Sequence, residues 1–137
     1  MHELSLCLSL VDLIENIGSR EGMHSVTSVL VEVGEISGVE TGALLFCFEA
    51  ASQGSIAKGA SLFIEQVPAQ AKCRKCRRRF PCGRGFNPCP DCGTYGAEII
   101  SGRELILKSL EGETEPPSKS THKNRSAGME AGLSISN

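Results

Sequence analysis

Val26-Thr27-Ser28-Val29-Leu30-Val31-Glu32-Val33-Gly34-Glu35-Ile36 is the stretch that sets the architecture. It is rich in β-branched residues, and Val29, Val31 and Val33 alternate with Leu30, Glu32 and Gly34, which predicts a strand with one buried face. Ser37-Gly38 breaks it. Ahead of it, from Glu3 to Ile17, apolar side chains at Leu4, Cys7, Leu8, Val11, Ile14 and Ile17 recur at helical spacing, with Gly18 as the expected stop. Behind it, Leu44, Leu45, Phe48 and Ala51 trace the stripe of a second helix ending near Gly54, and Leu62 to Val67 reads as a strand closed by Pro68. A third strand is expected from Ala97 to Lys108, around a break at Gly102. The expected fold is α+β: two helices on a three-stranded, mostly antiparallel sheet, with a cysteine-rich module inserted between the last two strands.

At 137 residues the chain suits one main core with a small appended module, and with aromatics at 4% that core must be aliphatic. No apolar run is long enough to span a membrane, and Glu3, Asp12 and Glu15 in the first helix argue against a signal peptide, so the expected compartment is the cytosol. The organisation expected is an α+β domain from residues 1–70 and 95–111, a metal-binding module at 71–94, and a polar tail at 112–137 with too little to bury to hold a fixed structure. Charge is unevenly spread. Lys72, Arg74, Lys75, Arg77, Arg78, Arg79 and Arg84 put seven of the 14 basic residues in one short acid-free segment, which leaves the rest of the chain acidic.

Five of the seven cysteines fall between Cys73 and Cys92. Cys73-Arg74-Lys75-Cys76 and Cys89-Pro90-Asp91-Cys92 are two CxxC turns, each able to aim both sulfurs at one point. Two such turns facing each other make a tetrahedron of thiolates, the ligand set of a closed, structural zinc site. Rubredoxin-like iron fits the same ligands. Cys82 lies between the pairs and is either a substitute ligand or a free thiol, though the symmetric spacing favours the other four. Cys7 and Cys47 fall on the apolar faces of the helices and read as buried small hydrophobes.

Met1-His2-Glu3 is a second constellation. A terminal amine, the amide nitrogens that follow and the His2 imidazole can close fused chelate rings around a planar ion such as Ni(II) or Cu(II). From residue type alone His2 is open to two readings, a solvated terminal residue or a ligand. His24 and His122 read as bystanders.

Met1-His2-Glu3-Leu4-Ser5, Val33-Gly34-Glu35-Ile36-Ser37-Gly38-Val39-Glu40, Phe46-Cys47-Phe48-Glu49, Cys89-Pro90-Asp91-Cys92-Gly93 and Gly102-Arg103-Glu104-Leu105 together resemble the HypA/HybF family of hydrogenase nickel-incorporation proteins, in order from Met1 to about Glu111. The resemblance implies a nickel metallochaperone with a zinc-ribbon module, working with an accessory GTPase to deliver Ni(II) to the large subunit of a [NiFe] hydrogenase. It implies as nickel ligands the Met1 amine, His2 and the backbone at Glu3, with Glu40 approaching the ion, and as zinc ligands Cys73, Cys76, Cys89 and Cys92. Glu40 has a competing local role, because Ser37-Gly38-Val39-Glu40 also reads as a capping box for the second helix. Where some relatives carry a histidine at the exit of the module, this chain has Glu98.

Two other classes compete. The basic segment suggests a nucleic-acid-binding zinc ribbon, but only Phe80 and Phe86 are at hand for stacking and the acidic remainder opposes phosphate. CxxC flanked by Arg and Lys suggests a thiol oxidoreductase, though two facing pairs favour stable metal over redox cycling. No Ser/His/Asp set, phosphate loop or paired carboxylates assemble, so no enzyme is expected. The apolar helices leave room for a homodimer.

Overall fold

The computed structural model describes residues 3–83, 88–114 and 126–135. Their elements, in chain order, are α1 (Glu3–Glu21), β1 (Met23–Gly34), α2 (Thr41–Ala51), β2 (Ser61–Val67), β3 (Gln70–Lys72), β4 (Arg79–Pro81), β5 (Glu98–Ser101), β6 (Leu105–Thr114) and β7 (Ser126–Ser134). They build two sheets, one in the order β2-β1-β6-β7 and a smaller one in the order β4-β3-β5. Among the described residues no helix is long and apolar enough to cross a membrane.

Alternation in β1 does what the sequence suggests. Val29, Val31 and Val33 are buried, in one cluster with Leu6, Cys7, Leu10, Val11, Ile14 and Ile17 of α1 and Leu44 and Phe48 of α2. The stripe of α1 is therefore rotated from the expected one: Leu6 and Leu10 face the sheet, and Leu4 and Leu8 face outward. Gly18 does not stop α1 either. It lies inside the helix, where a Cβ would come within 2.3 Å of Ile56 Cδ1, so its smallness serves packing, and the helix stops at Gly22 in the left-handed region at φ 73°. On α2, Leu45 also turns outward.

β1 pairs with β2 in parallel and with β6 antiparallel, and β6 pairs antiparallel with β7. The parallel pair follows from connectivity, because α2 carries the chain back across the sheet between β1 and β2. Glu3 meets Glu40, Cys7 meets Leu44 and Glu15 meets Ile56, so α1 lies beside α2 and runs the same way.

The expected third strand is two strands in two sheets. β5 pairs with β3 in the small sheet, whereas β6 returns to the main one, with Gly102 at φ 110° making the step between them. The module thus begins at β3 and extends to Ser101, beyond the cysteines. At this step the backbones of the two sheets nearly touch. A Cβ on Gly34 would lie 2.0 Å from Gly102 O, and one on Gly102 would lie 2.6 Å from Ala69 Cα. The seam is tied by Gly34 N–H to Glu104 O (2.7 Å), Ile36 N–H to Gly102 O (2.8 Å) and Glu35 N–H to Val67 O (2.8 Å). Two carboxylates complete it: Glu35 Oε1 accepts from Ala69 N–H and Glu104 Oε1 accepts from Gly102 N–H, each at 2.7 Å.

The polar tail also departs from expectation. β6 runs on to Thr114, and Ser126–Ser134 forms β7 along its outer side, so the sheet has a fourth strand. Pairing to an open edge uses backbone groups, which composition does not reveal.

Gly34→Ala should cost about 3 kcal/mol, the upper end for forced overpacking, read by urea denaturation. Gly38→Ala, at φ 85° with open space around it, should cost about 1 kcal/mol through strain alone. Equal losses at the two positions would contradict the close crossing.

Candidate metal centre

Each CxxC turn is closed by the same pair of backbone bonds. Arg77 N–H donates to Cys73 O at 3.0 Å and Cys73 N–H donates to Arg78 O at 2.9 Å; Gly93 N–H donates to Cys89 O at 2.8 Å and Cys89 N–H donates to Thr94 O at 3.0 Å. Both turns need their fifth residue in the left-handed region. Gly93 adopts it freely at φ 74°, while Arg77 sits at φ 66° at a steric cost.

The turns face each other and bring the thiols of Cys73, Cys76, Cys89 and Cys92 within 4.8 Å of one another. Cys73 and Cys92 sulfurs are 3.6 Å apart, and Cys76 and Cys89 sulfurs 3.5 Å. A tetrahedron with metal–sulfur bonds of about 2.3 Å has edges of about 3.8 Å, so the four sulfurs are spaced for one thiolate-bound ion. Amide donors are aimed at them: Lys75 N–H and Cys76 N–H at Cys73 Sγ, and Asp91 N–H at Cys89 Sγ, all at 3.4 Å.

Those donors favour the anion. The Cys76 amide, then the Lys75 amide, pulls the Cys73 thiol below its ordinary value. Hydrogen bonding with the Thr94 hydroxyl, 3.2 Å from Cys92 Sγ, and with the Thr94 amide brings Cys92 down to about 6. Cys76 goes the other way. The Arg78 amide draws it down, but the crowded sulfurs of Cys89, Cys73 and Cys92 and desolvation push it up to about 12. Four sulfurs this close can all be anionic only around a cation, and this donor set fits a thiophilic dication.

Cys73 and Cys89 are buried with Ala71 and Phe80, and Cys82 and Ala97 pack against that small cluster. Cys82 is thus outside the four-sulfur group, its backbone N–H donating to Ala69 O at 3.1 Å. Phe80 is turned inward, away from any stacking partner, and Phe86 and Arg84 lie outside the described residues. Arg78 Nη1 reaches Asp91 Oδ2 at 3.3 Å and links one turn to the other. Cys7 donates its thiol to Leu44 O at 3.3 Å, and burial first, then Cys47 and Glu3, pushes it up to about 12. Cys47 is half-buried against the same core.

The second constellation falls partly outside the described residues, since Met1 and His2 belong to none of the three described segments. What is described is its neighbourhood. Glu3 is buried at 8% exposure, and its Oε2 accepts the Glu40 N–H at 3.1 Å. Its carboxyl is held at about 2, by the chain's terminal ammonium first and then by the Glu40 amide. Ser37 is not the cap of α2. Its Oγ accepts from Val39 N–H at 3.2 Å, and Glu40 itself is the N-cap, with Oε1 accepting from Ala43 N–H at 2.8 Å. Glu40 therefore stands beside the start of α1, across 37 residues of chain.

The family model described as hydrogenase/urease nickel incorporation, metallochaperone, hypA matches residues 1–112. The chain belongs to this HypA family. It is 45% identical over 111 residues to the hydrogenase maturation factor HypA of Geotalea daltonii, covering 80% of this chain and 97% of that one. It is 43% identical over 113 residues to the hydrogenase maturation factor HybF of Klebsiella pneumoniae, covering 82% of this chain and all of that one. The solution structure of the Ni metallochaperone HypA from Helicobacter pylori superposes with a TM-score of 0.64 at 28% identity, over 84% of this chain and the whole of that one.

Sequence reasoning found the four cysteines that the structure brings together but missed three supporting groups: the Glu3 carboxylate, Thr94 and the left-handed Arg77. Only Arg77 left a signal, as the counterpart of Gly93 in the second turn. Arg77→Gly should stabilise the module by up to about 1 kcal/mol, and Arg77→Ile should weaken it by about 1–2 kcal/mol, since a β-branched residue is strained at that φ. Chelator concentration at half-loss of structure measures both, and the same midpoint for the two variants would contradict the assignment.

Proposed function

We propose that this chain is a nickel metallochaperone that binds Ni(II) at its amino terminus and passes it to the large subunit during [NiFe] hydrogenase maturation. The observation that carries the proposal is membership of a nickel-incorporation family along residues 1–112, which takes in Met1-His2-Glu3 at one end and the four-sulfur module toward the other. The accessory GTPase is its working partner, and the cytosol is where it acts. It transfers an ion and makes or breaks no substrate bond, so it is a carrier and not an enzyme.

Nickel as cargo asks for ligands that a better acceptor can strip. The Met1 amine, the His2 imidazole and the backbone nitrogen at Glu3 supply a nitrogen-rich planar set suited to a d8 ion. Glu40 is our candidate for a further approach to the ion, and support for it is the Glu3–Glu40 hydrogen bond, which holds the start of α2 beside the start of α1. Irving–Williams ordering gives copper at least equal affinity, so selectivity rests on supply and partners.

Zinc is our assignment for the resident ion of Cys73, Cys76, Cys89 and Cys92. When bound it would neutralise the thiolates and fix the two turns, a structural contribution on the order of 10–16 kcal/mol in small finger peptides. Among the described residues, the buried cluster around Phe80 holds too few side chains to order such a segment by itself.

Adding two residues ahead of Met1, or replacing His2→Ala, should abolish stoichiometric Ni(II) uptake and leave one zinc per chain, read by metal analysis after loading. Undiminished uptake in both would refute the terminal site. Cys82→Ser should keep the zinc and Cys92→Ser should release it to a mild chelator; equal retention would mean the ligand set is misassigned.

A further inference from the structure

Six cations flank the first CxxC turn. Lys72, Arg74, Lys75, Arg77, Arg78 and Arg79 stand in a stretch that contains no acid, and all but the half-buried Lys72 are exposed. The rest of the chain carries all 16 acids and only eight of the 14 bases. Among the described residues one of the six is ion-paired, Arg78 with Asp91 at 3.3 Å.

The fold gathers these cations at a cost. β3 and β4 set Lys72 directly opposite Arg79, and like charges so placed weaken a sheet. Glu98 stands opposite Lys72 on its other side and offsets part of that repulsion. Arg77 holds the left-handed position that Gly93 fills without strain in the facing turn. The four-sulfur group does not call for the cations, because that facing turn, Cys89-Pro90-Asp91-Cys92, supplies half of the sulfurs with an acid between its cysteines and no base. Strain that the turn itself does not need points to a ligand. Lys72, Arg74 and Arg77 line a recess of about 210 Å³, together with Cys73 and Glu98.

We propose that this turn is a docking surface for an acidic segment of a partner polypeptide, whose Asp or Glu side chains enter the recess between Lys72, Arg74 and Arg77 and meet Arg79 beside it. Arginine clusters read acidic motifs through paired N–H donors. Carboxylate is the favoured anion for two reasons. The module already seats one, Asp91 on Arg78, and Glu98 in the recess wall repels a doubly charged phosphate more than a singly charged carboxylate. A nucleic-acid strand fits less well. It would run off a short basic stretch onto an acidic chain, and among the described residues the module exposes one aromatic, Tyr95, where stacked single strands use several. The surface adds a contact to the carrier and does not depend on nickel.

The test uses the full chain loaded with zinc and free of nickel, a labelled oligoglutamate peptide as probe and fluorescence anisotropy as readout. The parent should bind the peptide, more weakly as salt is raised, and should bind a single-stranded oligonucleotide of equal charge less tightly. Reversing two charges of the turn, Arg74→Glu with Arg79→Glu, should lower peptide affinity about tenfold or more. The same reversal at exposed Arg20 and Lys58, outside the turn, should leave it within about twofold. Equal losses in the two double variants, no binding of peptide at low salt, or tighter binding of the oligonucleotide overturns the proposal. If the first double variant loses its zinc, peptide titration of the parent followed by amide resonances decides: shifts centred on residues 72–79 and Glu98 support docking here, and shifts centred elsewhere, or none, overturn it.

Discussion

Gly34 and Gly102 meet with no room for a side chain between them, and the two sheets are positioned by that contact. The chain leaves the main sheet after Val67 and re-enters it at Leu105, and both passages run past this point. Bare backbone on both sides lets amides of one strand reach carbonyls of the other. The Glu35 and Glu104 carboxylates then take up Ala69 and Gly102 N–H groups that the crossing would leave unpaired. Any side chain at the crossing would push the module away from the layer that carries it.

The two halves joined there are stabilised by different physics. The helix-covered sheet has an aliphatic core drawn from α1, α2, β1 and β6. Among the described residues the small sheet buries little besides Ala71, Phe80 and the two inner cysteines, so its order depends on what its sulfurs hold. That division suits a carrier. In the function we propose, a brace that keeps its ligands is separate from a terminal site whose ligands are exchanged, and the donor sets, sulfur against nitrogen, would keep the two ions apart.

Much of this was legible in the sequence because it depends on short-range pattern. Alternation at Val29, Val31 and Val33 announced the central strand, and paired CxxC turns announced the four-sulfur cluster. What escaped was set by tertiary context. Gly18 looks like a stop until Ile56 is seen packed over it, and Gly22 then takes that role. Ser37 looks like a cap until Glu40 proves to be the residue at which α2 starts. The split at Gly102 sends adjacent apolar runs into different sheets, and β7 pairs along β6 although its sequence lacks the residues typical of strands. The Glu3 carboxylate was passed over because its partner, the Glu40 amide, is remote in sequence.

The central claim is that two ions occupy two chemically distinct sites, one of sulfur and one of terminal nitrogen. X-ray absorption at the zinc and nickel edges of the doubly loaded protein tests it most directly. The account predicts a zinc shell of four sulfurs at about 2.3 Å and a nickel shell of nitrogen and oxygen alone. Sulfur in the nickel shell, or nitrogen in the zinc shell, would contradict it.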